Sequence, residues 1–288
     1  MKTRAYFLHA LTPVHAGVGQ GLGWLDLPTA REVITNHPFV PGSSLKGVLL
    51  SAHHEQESEA GLRAAVFGDT DHQGGVSVSD ARLIALPVRS LRGTFAWATS
   101  PLVLLRLRRI LAEVEELPPP LSLEGERVLV AKGASALLQQ ESGGEQRVYF
   151  EELALSATVD EEGVRAWADW LAQALFADAV ERDAFVSRFA LLPDDLFDYL
   201  AETACDVRSR VKLEEETKTA AKSGPWWEEN IPAESVLCGV LSARRARGHE
   251  PEALLDQIGE LCEAGALQVG GKETVGRGRV RMIVRGAS

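Results

Sequence analysis

The stretch PGSSLKGVLLSA, residues 41–52, decides the fold of this chain more clearly than any other. Pro41 and Gly42 mark a turn, after which Ser43 or Ser44 is suited to cap a helix. Apolar residues then recur at positions i, i+3, i+4 and i+7, as Leu45, Val48, Leu49 and Ala52. This spacing places them on one face, so the stretch predicts a helix packed against a core.

Strand-like segments lie on both sides of this helix. The half-apolar run RAYFLHAL, residues 4–11, ends at Thr12 and Pro13 and predicts a first strand. Ser100 and Pro101 are a typical helix start and predict a second helix, which is terminated by the three prolines at residues 118–120. Further strands are predicted at 76–79, 82–88, 267–269 and 279–284, and a last helix at 251–265. This order predicts an α+β chain with a ferredoxin-like sheet of split βαβ topology.

The segment between these elements is of a different composition. Residues 113–205 are rich in acids, with helical patterns at 164–180 and 195–203, and they predict a helical insertion beside the sheet. Residues 208–232 are first polar and charged and then contain Gly224, Pro225 and two tryptophans, which we interpret as a projecting hairpin. No internal repeat interrupts this order, so we predict a single domain.

Composition excludes several classes of protein. The chain has 288 residues, of which 45% are hydrophobic and 25% charged, which is typical of a folded domain and not of a disordered chain. No apolar run approaches the ~20 residues that span a bilayer, and no secretion signal is visible, so we expect a cytoplasmic protein without a membrane partner. Cys205, Cys238 and Cys262 form no C-x-x-C, which favours reduced thiols over disulfides or a zinc ribbon.

Charge is unevenly distributed along the chain. The net charge of -11 and the pI near 5.2 weigh against binding of nucleic acid through overall charge. Residues 81–112 nevertheless contain six arginines and no acid, and residues 268–288 contain five cations and one acid. Two interpretations stay open: one basic face for an anionic polymer, or solvated helix faces that happen to cluster by sign.

Two glycine-rich segments resemble nucleotide motifs only superficially. Near the first strand every second residue is a glycine, at Gly17, Gly19, Gly21 and Gly23. The dinucleotide fingerprint fails because Leu22 occupies the position of its third glycine and no helix follows at once. At residues 270–278 a P-loop fails because Ala266 replaces its first glycine and Glu273 follows Lys272. The remaining interpretations are tight turns or loops whose amides approach a phosphate closely.

Together these segments resemble a known family. The matching residues are 13–17, 23–32, 41–47, 93–97, 100–102, 226–229 and 270–278. They are similar to the RAMP proteins of CRISPR systems, and more narrowly to the repeated backbone subunit of the type III-B Cmr effector complex. The resemblance covers both ends of the chain and several points between them.

The resemblance implies a modified, RRM-type fold shaped like a hand. The palm would comprise residues 1–112 and 233–288, the helical insertion residues 113–205, and the thumb hairpin residues 206–232. Such subunits polymerise along a guide crRNA and serve antiviral defence. The implied activity is an endoribonuclease that cuts complementary target RNA at regular intervals by metal-dependent attack of a 2'-hydroxyl. The implied partners are crRNA, target RNA, other copies of the chain and other Cmr subunits.

The resemblance also implies the site residues. Asp26 lies where the family has its target-cleaving aspartate, and it would be the ligand of a divalent metal, Mg or Mn. Lys46 with the start of the first helix would hold guide phosphate. The predicted RNA-binding residues are His15, Gly17, Arg31, Ser43, Ser44, Lys46, Gly271, Lys272, Thr274, Gly276 and Arg277. The predicted thumb residues are Lys212, Lys218, Trp226 and Trp227.

Several alternatives remain open from the residues alone. His15 is suited to a structural hydrogen bond as well as to RNA, and Asp26 to an ordinary turn. The two thumb tryptophans either stack on bases or brace the thumb, of which we favour bracing. Rival functions are a non-catalytic crRNA scaffold, a CRISPR RNA-processing endonuclease, and a small-molecule enzyme that binds a nucleotide.

Overall fold

The computed structural model describes residues 1–19, 21, 25–55, 60–131, 136–160, 162–211 and 224–286. The helices are α1 (Gly42–Glu55), α2 (Ala60–Phe67), α3 (Pro101–Leu111), α4 (Gly163–Leu175), α5 (Ala179–Val186), α6 (Asp194–Thr203) and α7 (Pro251–Glu263). The strands are β1 (Lys2–Ala10), β2 (Phe39–Val40), β3 (Val76–Val78), β4 (Ala81–Arg89), β5 (Phe95–Thr99), β6 (Val128–Ala131), β7 (Gln139–Gln140), β8 (Gln146–Phe150), β9 (Leu153–Asp160), β10 (Phe189–Leu191), β11 (Asp206–Arg210), β12 (Trp226–Asn230), β13 (Val236–Ala243), β14 (Leu267–Gln268) and β15 (Arg279–Val284).

Four antiparallel strands in the order β15-β1-β13-β4 form the centre of the molecule. Helix α1 connects β1 towards β4, and α7 connects β13 towards β15. Each half of the chain's palm therefore contributes one strand–helix–strand unit, and the units interleave so that β1 lies between β13 and β15. The α+β prediction is confirmed, and this strand order is consistent with a ferredoxin-like sheet.

Both faces of the central sheet are covered, which explains why β1 is apolar along most of its length. Successive side chains of a strand point to opposite faces. On one face, the ring of Phe7 contacts Trp170 of α4 with 5.9 Å between ring centroids. On the other, Arg4 donates to Asp256 of α7 at 2.7 Å. Strand β1 thus has α4 above it and α7 below, and Ala5 to Ala10 are all buried.

The segment 113–205 is not the purely helical insertion that its composition predicts. It contains α4, α5 and α6, but also β6 to β10, which extend the sheet beyond β5. The end of β8 in this extension contacts the end of β4, because Ser90 bridges to Phe150 and the Glu151 N–H donates to Arg89 O at 2.9 Å. The strands were hidden because their period-two pattern is short and surrounded by acids: Val128 and Val130 are buried and Leu129 is not.

The predicted hairpin contains two paired strands. Strands β11 and β12 form a separate two-stranded sheet, with Asp206 opposite Asn230 and Arg210 opposite Trp226. Residues 212–223, and with them Lys212 and Lys218, lie outside the described residues. The division into palm, insertion and thumb stays a prediction.

The two predicted helix starts are both present, with one difference in how they are capped. Ser100 Oγ accepts the Val103 N–H at 3.3 Å and Pro101 is the first residue of α3, as predicted. Helix α1 begins at Gly42, whose N–H donates to the Asp80 carboxylate at 2.8 Å. The cap therefore comes from Asp80, which lies between β3 and β4, rather than from a serine. The side chains of Ser43 and Ser44 are exposed.

The state of the cysteines and the character of the helices bear on two of the expectations from composition. All three cysteines are buried free thiols. Among the helices that the structure describes, none has the length and apolar character needed to cross a membrane.

Candidate nucleic-acid interface

The two glycine-rich segments cross each other next to β1. His15 bridges to Gly271, with the Gly271 N–H donating to His15 O at 3.1 Å, and the Gly278 N–H donates to Pro13 O at 2.9 Å. Gly270 has φ of +79°, and a Cβ on it would lie 2.2 Å from His15 O. The crossing therefore requires glycine at this position, both for the backbone conformation and for the space.

A cavity of about 270 Å³ opens at this crossing. Its lining includes His15, Gly17, Ser44 and Gly271, four of the predicted RNA-binding residues, from three separate parts of the chain. The His15 ring is held by its Nδ1, which lies 2.9 Å from Glu229 O. A Cβ on Gly17 would lie 2.6 Å from His15 Nε2. The glycine thus keeps the second ring nitrogen uncovered on the side of Gly17.

Ser44 brings the start of α1 to this cavity. Because the first N–H groups of a helix have no intrahelical partner and carry partial positive charge, a helix start favours an anion. In α1 the side chain of Asp80 occupies the Gly42 N–H, while the hydroxyls of Ser43 and Ser44 are exposed. Donors that point to solvent therefore remain at this end of the helix.

Asp26 is exposed and lies beside β12, a strand of the predicted thumb. Its Oδ2 accepts the Trp227 N–H at 2.7 Å, and the next residue, Leu27, donates its N–H to Trp227 O at 3.0 Å. Leu27 also forms a parallel bridge to Glu228. The Asp26 segment is thereby joined to β12 by one β-bridge and two hydrogen bonds, which fix one carboxylate oxygen and leave the other to a ligand.

A second cavity, of about 450 Å³, has Asp26 in its wall. The other lining residues are Gly21, Leu27, Trp226 and Lys272. Lys272 takes a left-handed conformation, with φ of 69°, at the turn of the C-terminal glycine-rich segment. The structure thus brings the Asp26 carboxylate together with an aromatic side chain and a cation that lie 200 and 246 residues later in the chain.

These cavities continue into a larger groove. The groove, of about 840 Å³, runs between α1 and the end of α7 and is lined mainly by small residues. It shares Ser44 and Gly270 with the first cavity, which in turn shares Leu27 with the Asp26 cavity. The three openings therefore adjoin one another through shared wall residues, and we call this row of openings, which ends at Asp26, the path.

Three predicted RNA-binding cations do not line this path. Lys46 donates to Val76 O at 3.0 Å, and burial lowers the pKa of its ammonium group. Arg31 is paired with Glu229 at 2.5 Å. Arg277 is 5% exposed and lies 3.6 Å from Asp206. Thr274, Gly276 and Trp227 are exposed near the path's C-terminal segment or on β12, so they remain accessible to a ligand.

Several of the arginines at residues 82–109 serve the fold. Arg82 and Arg106 both contact the Glu32 carboxylate, at 3.1 and 2.7 Å. Arg108 donates to the carbonyls of Leu117 and Pro118. Part of the predicted basic stretch is therefore taken up by the fold, whereas Arg89, Arg92 and Arg109 have exposed side chains.

The sequence did not predict the cluster of charged residues around the buried Glu228, at the base of the predicted thumb. Glu228 is 1% exposed, and three cations surround its carboxylate: Arg210 at 3.8 Å, Arg277 at 3.8 Å and Lys272 at 4.0 Å. The pKa of Arg277 is lowered by burial and by the neighbouring Arg208. The signal in the sequence was the pair Glu228-Glu229, which directly follows two tryptophans in the same strand.

The described part of the chain contains no group of three or more histidines, cysteines, aspartates or glutamates arranged for a metal ion. A metal at Asp26 would therefore have one protein carboxylate and take its other ligands from water and substrate. Mg²⁺ commonly binds in this way, through one or two carboxylates with most of its waters retained. The residues present fit a hydrated Mg²⁺ or Mn²⁺ and do not fit a closed structural site.

The fold and the residues of this interface belong to a known family of proteins. The model of the RAMP superfamily matches residues 7–281, and the chain belongs to that family.

Individual relatives show which proteins of known name or structure this chain is similar to. CRISPR system Cmr endoribonuclease Cmr4 of Pyrococcus furiosus is 33% identical over 294 residues, covering 99% of this chain and 96% of the relative. A crystal structure of oligomeric Cmr4 from the same organism has a TM-score of 0.74 at 27% identity, covering 99% of this chain and 98% of that one. A chain of a type III-B Cmr-beta complex bound to cognate target RNA shares the fold, with a TM-score of 0.75 at 17% identity, covering 99% of this chain and 97% of that one.

Proposed function

We propose that this chain is a backbone subunit of a type III-B CRISPR effector, polymerises along crRNA and cleaves complementary target RNA at Asp26. Its partners are crRNA, target RNA, further copies of itself and other Cmr subunits, in the cytoplasm, where its cysteines stay reduced. Family membership and the similarity to an endoribonuclease named Cmr4 support the proposal. The observation that carries it is the path of adjoining openings, whose walls include several glycines and which ends at an exposed carboxylate.

The shape of this path favours a polymer over a small molecule. A single nucleotide needs one enclosed pocket, whereas three openings joined by shared residues suit successive phosphates of one strand. Glycines at the crossing allow the backbone to approach those phosphates, and the start of α1 offers hydroxyls and helix-terminal dipole to them. The predicted contacts are therefore His15, Gly17, Ser44 and Gly271, with Thr274 and Gly276 beside them. Lys46, Arg31 and Arg277 support these elements from within.

The chemistry at Asp26 needs little from the protein beyond geometry. RNA carries its own nucleophile, and a 2'-hydroxyl attacks the adjacent phosphorus once the base is unstacked and the leaving 5'-oxygen is in line. The free oxygen of Asp26 accepts the 2'-proton as the O–P bond forms and the P–O5' bond breaks. Lys272, in the same cavity, stabilises the charge on the phosphate oxygens. The products are a 2',3'-cyclic phosphate and a 5'-hydroxyl that takes up one proton.

The thumb tryptophans have separate tasks in this proposal. Trp227 is 43% exposed and available to stack on a base. Trp226 lines the Asp26 cavity and braces the base of the thumb. When bound at Asp26, a hydrated Mg²⁺ or Mn²⁺ would neutralise charge that develops on the phosphate.

Substituting Asp26 by Asn tests the proposal. Asn keeps the size of the side chain and an oxygen for the Trp227 N–H, but it cannot accept the 2'-proton. In the chain assembled with crRNA, target binding stays within about twofold while single-turnover cleavage falls by ~10²- to 10⁴-fold. Unchanged cleavage by D26N would instead favour the non-catalytic scaffold. Cutting of precursor crRNA by the isolated wild-type chain would favour the processing endonuclease.

A further inference from the structure

Glu229, in strand β12, contacts the segment that carries Asp26 through both its backbone and its side chain. It is 5% exposed and follows the two residues of β12 that pair with Asp26 and Leu27. Its own N–H donates to Leu27 O at 3.0 Å. One carboxylate oxygen accepts the Thr29 N–H at 3.0 Å, and the other accepts Arg31 Nη2 at 2.5 Å.

These contacts hold three alternate residues of the same segment, Leu27, Thr29 and Arg31. A strand whose alternate residues are all held by one partner is fixed in its register, because a shift by one residue breaks every contact. The carbonyl of Glu229 also lies 2.9 Å from His15 Nδ1. One residue of the thumb strand thus fixes both the loop that carries Asp26 and the ring that lines the neighbouring cavity.

Arg31 anchors the far end of this arrangement. It donates to Ala201 O at 3.1 Å and to the Cys205 sulfur at 3.3 Å, both at the end of α6. Burial alone lowers the pKa of Arg31, but the Glu229 carboxylate and Cys205 outweigh it and raise that pKa above its ordinary value. The Arg31 guanidinium is therefore a permanent cation, and it faces the protein rather than solvent.

We propose that Glu229 is the positioning residue of the cleavage site, holding the Asp26 segment and His15 in register with the thumb. The inference rests on the proposed function. Both carboxylate oxygens face donors, so only an ionised carboxylate satisfies both at once. A glutamine at this position has one acceptor and one NH₂ group. It must therefore direct donor against donor, either at the buried Thr29 N–H or at Arg31.

The decisive experiment compares E229Q with D26N and with E234Q in the full chain assembled with crRNA. Glu234 is a carboxylate whose described partners are His9, Ala10 and Trp97, outside residues 25–31, so E234Q is the control. For E229Q we expect single-turnover cleavage at saturating enzyme to fall ~10- to 100-fold, while the target dissociation constant changes less than about threefold. Hydrogen exchange of peptides covering residues 25–31 rises in E229Q and not in E234Q.

A second variant decides the matter if E229Q does not assemble. R31K retains the positive charge but gives up the fork of donors, so we expect ~3- to 10-fold slower cleavage with unchanged target binding. Cleavage that falls only in proportion to lost RNA binding or lost folded protein would show a structural role and overturn the inference. Wild-type cleavage by E229Q alongside an inactive D26N would overturn it alone, whereas an active D26N would overturn the proposed function with it.

Discussion

Replacing Gly270 by Ala tests whether the crossing of the two glycine-rich segments is as close as described. Gly276 provides a matched comparison, because its φ of +77° is almost the same as the +79° of Gly270. A Cβ on Gly276 meets nothing within 4 Å, whereas on Gly270 it lies 2.2 Å from the backbone oxygen of His15. The two substitutions therefore share the conformational cost and differ only in the clash.

The expected magnitudes follow from these two terms. A left-handed conformation costs a non-glycine residue ~1 to 2 kcal/mol, which is the expected destabilisation in G276A. In G270A the His15 carbonyl must also move, which breaks its hydrogen bond from Gly271 and adds about 1 kcal/mol or more. We therefore expect a loss of roughly 2 to 4 kcal/mol in the free energy of unfolding of G270A.

Urea denaturation of both variants and the wild type, with linear extrapolation, measures these free energies. We expect G270A to be less stable than G276A. Equal stability of the two variants within the error of extrapolation would mean that the segments do not cross at the described distance. The cavity beside His15 would then lose its structural basis.

Two further predictions concern stability. Gly47 lies in the middle of α1 with open space where a Cβ would be, so G47A stabilises the chain by about 1 kcal/mol in the same urea assay; a destabilised G47A would contradict the helix. Burial raises the pKa of Glu32, but hydrogen bonds from Thr35 and Arg106 outweigh it and lower that pKa below its usual 4.5. The ionised carboxylate therefore stabilises the fold above pH 4.5 and loses this effect as the pH falls through the lowered value. Thermal unfolding across pH should show E32Q less stable than wild type at neutral pH and the difference vanishing in acid; a gap that persists there would refute the assignment.

The sequence predicted the central sheet well because its signals are local. The spacing of Leu45, Val48, Leu49 and Ala52, and the cap at Ser100, depend only on neighbours in the chain, and both helices are present. Strands β6, β7 and β8 were missed because two to five residues give too few repeats for a period of two to stand out among acids, and the longer β9 was missed with them. Their burial depends on β10 and α4, which lie later in the chain.

The site was predictable to a different degree. The resemblance pointed to Asp26 and Lys272, and they line one cavity. No local pattern could show that Glu229 accepts a hydrogen bond from Thr29, 200 residues earlier in the chain. For the same reason Arg31 looked like an RNA contact, since its partner is visible only in three dimensions.

The position of β1 between β13 and β15 has a consequence for how the chain is made. Both neighbours lie near the opposite end of the sequence, with β13 beginning at Val236. At ribosomal speeds of ~5 to 20 residues per second, the apolar residues of β1 wait on the order of ten to fifty seconds for a pairing partner. During that interval β1 has no native partner in the sheet, and its apolar residues are open to wrong ones.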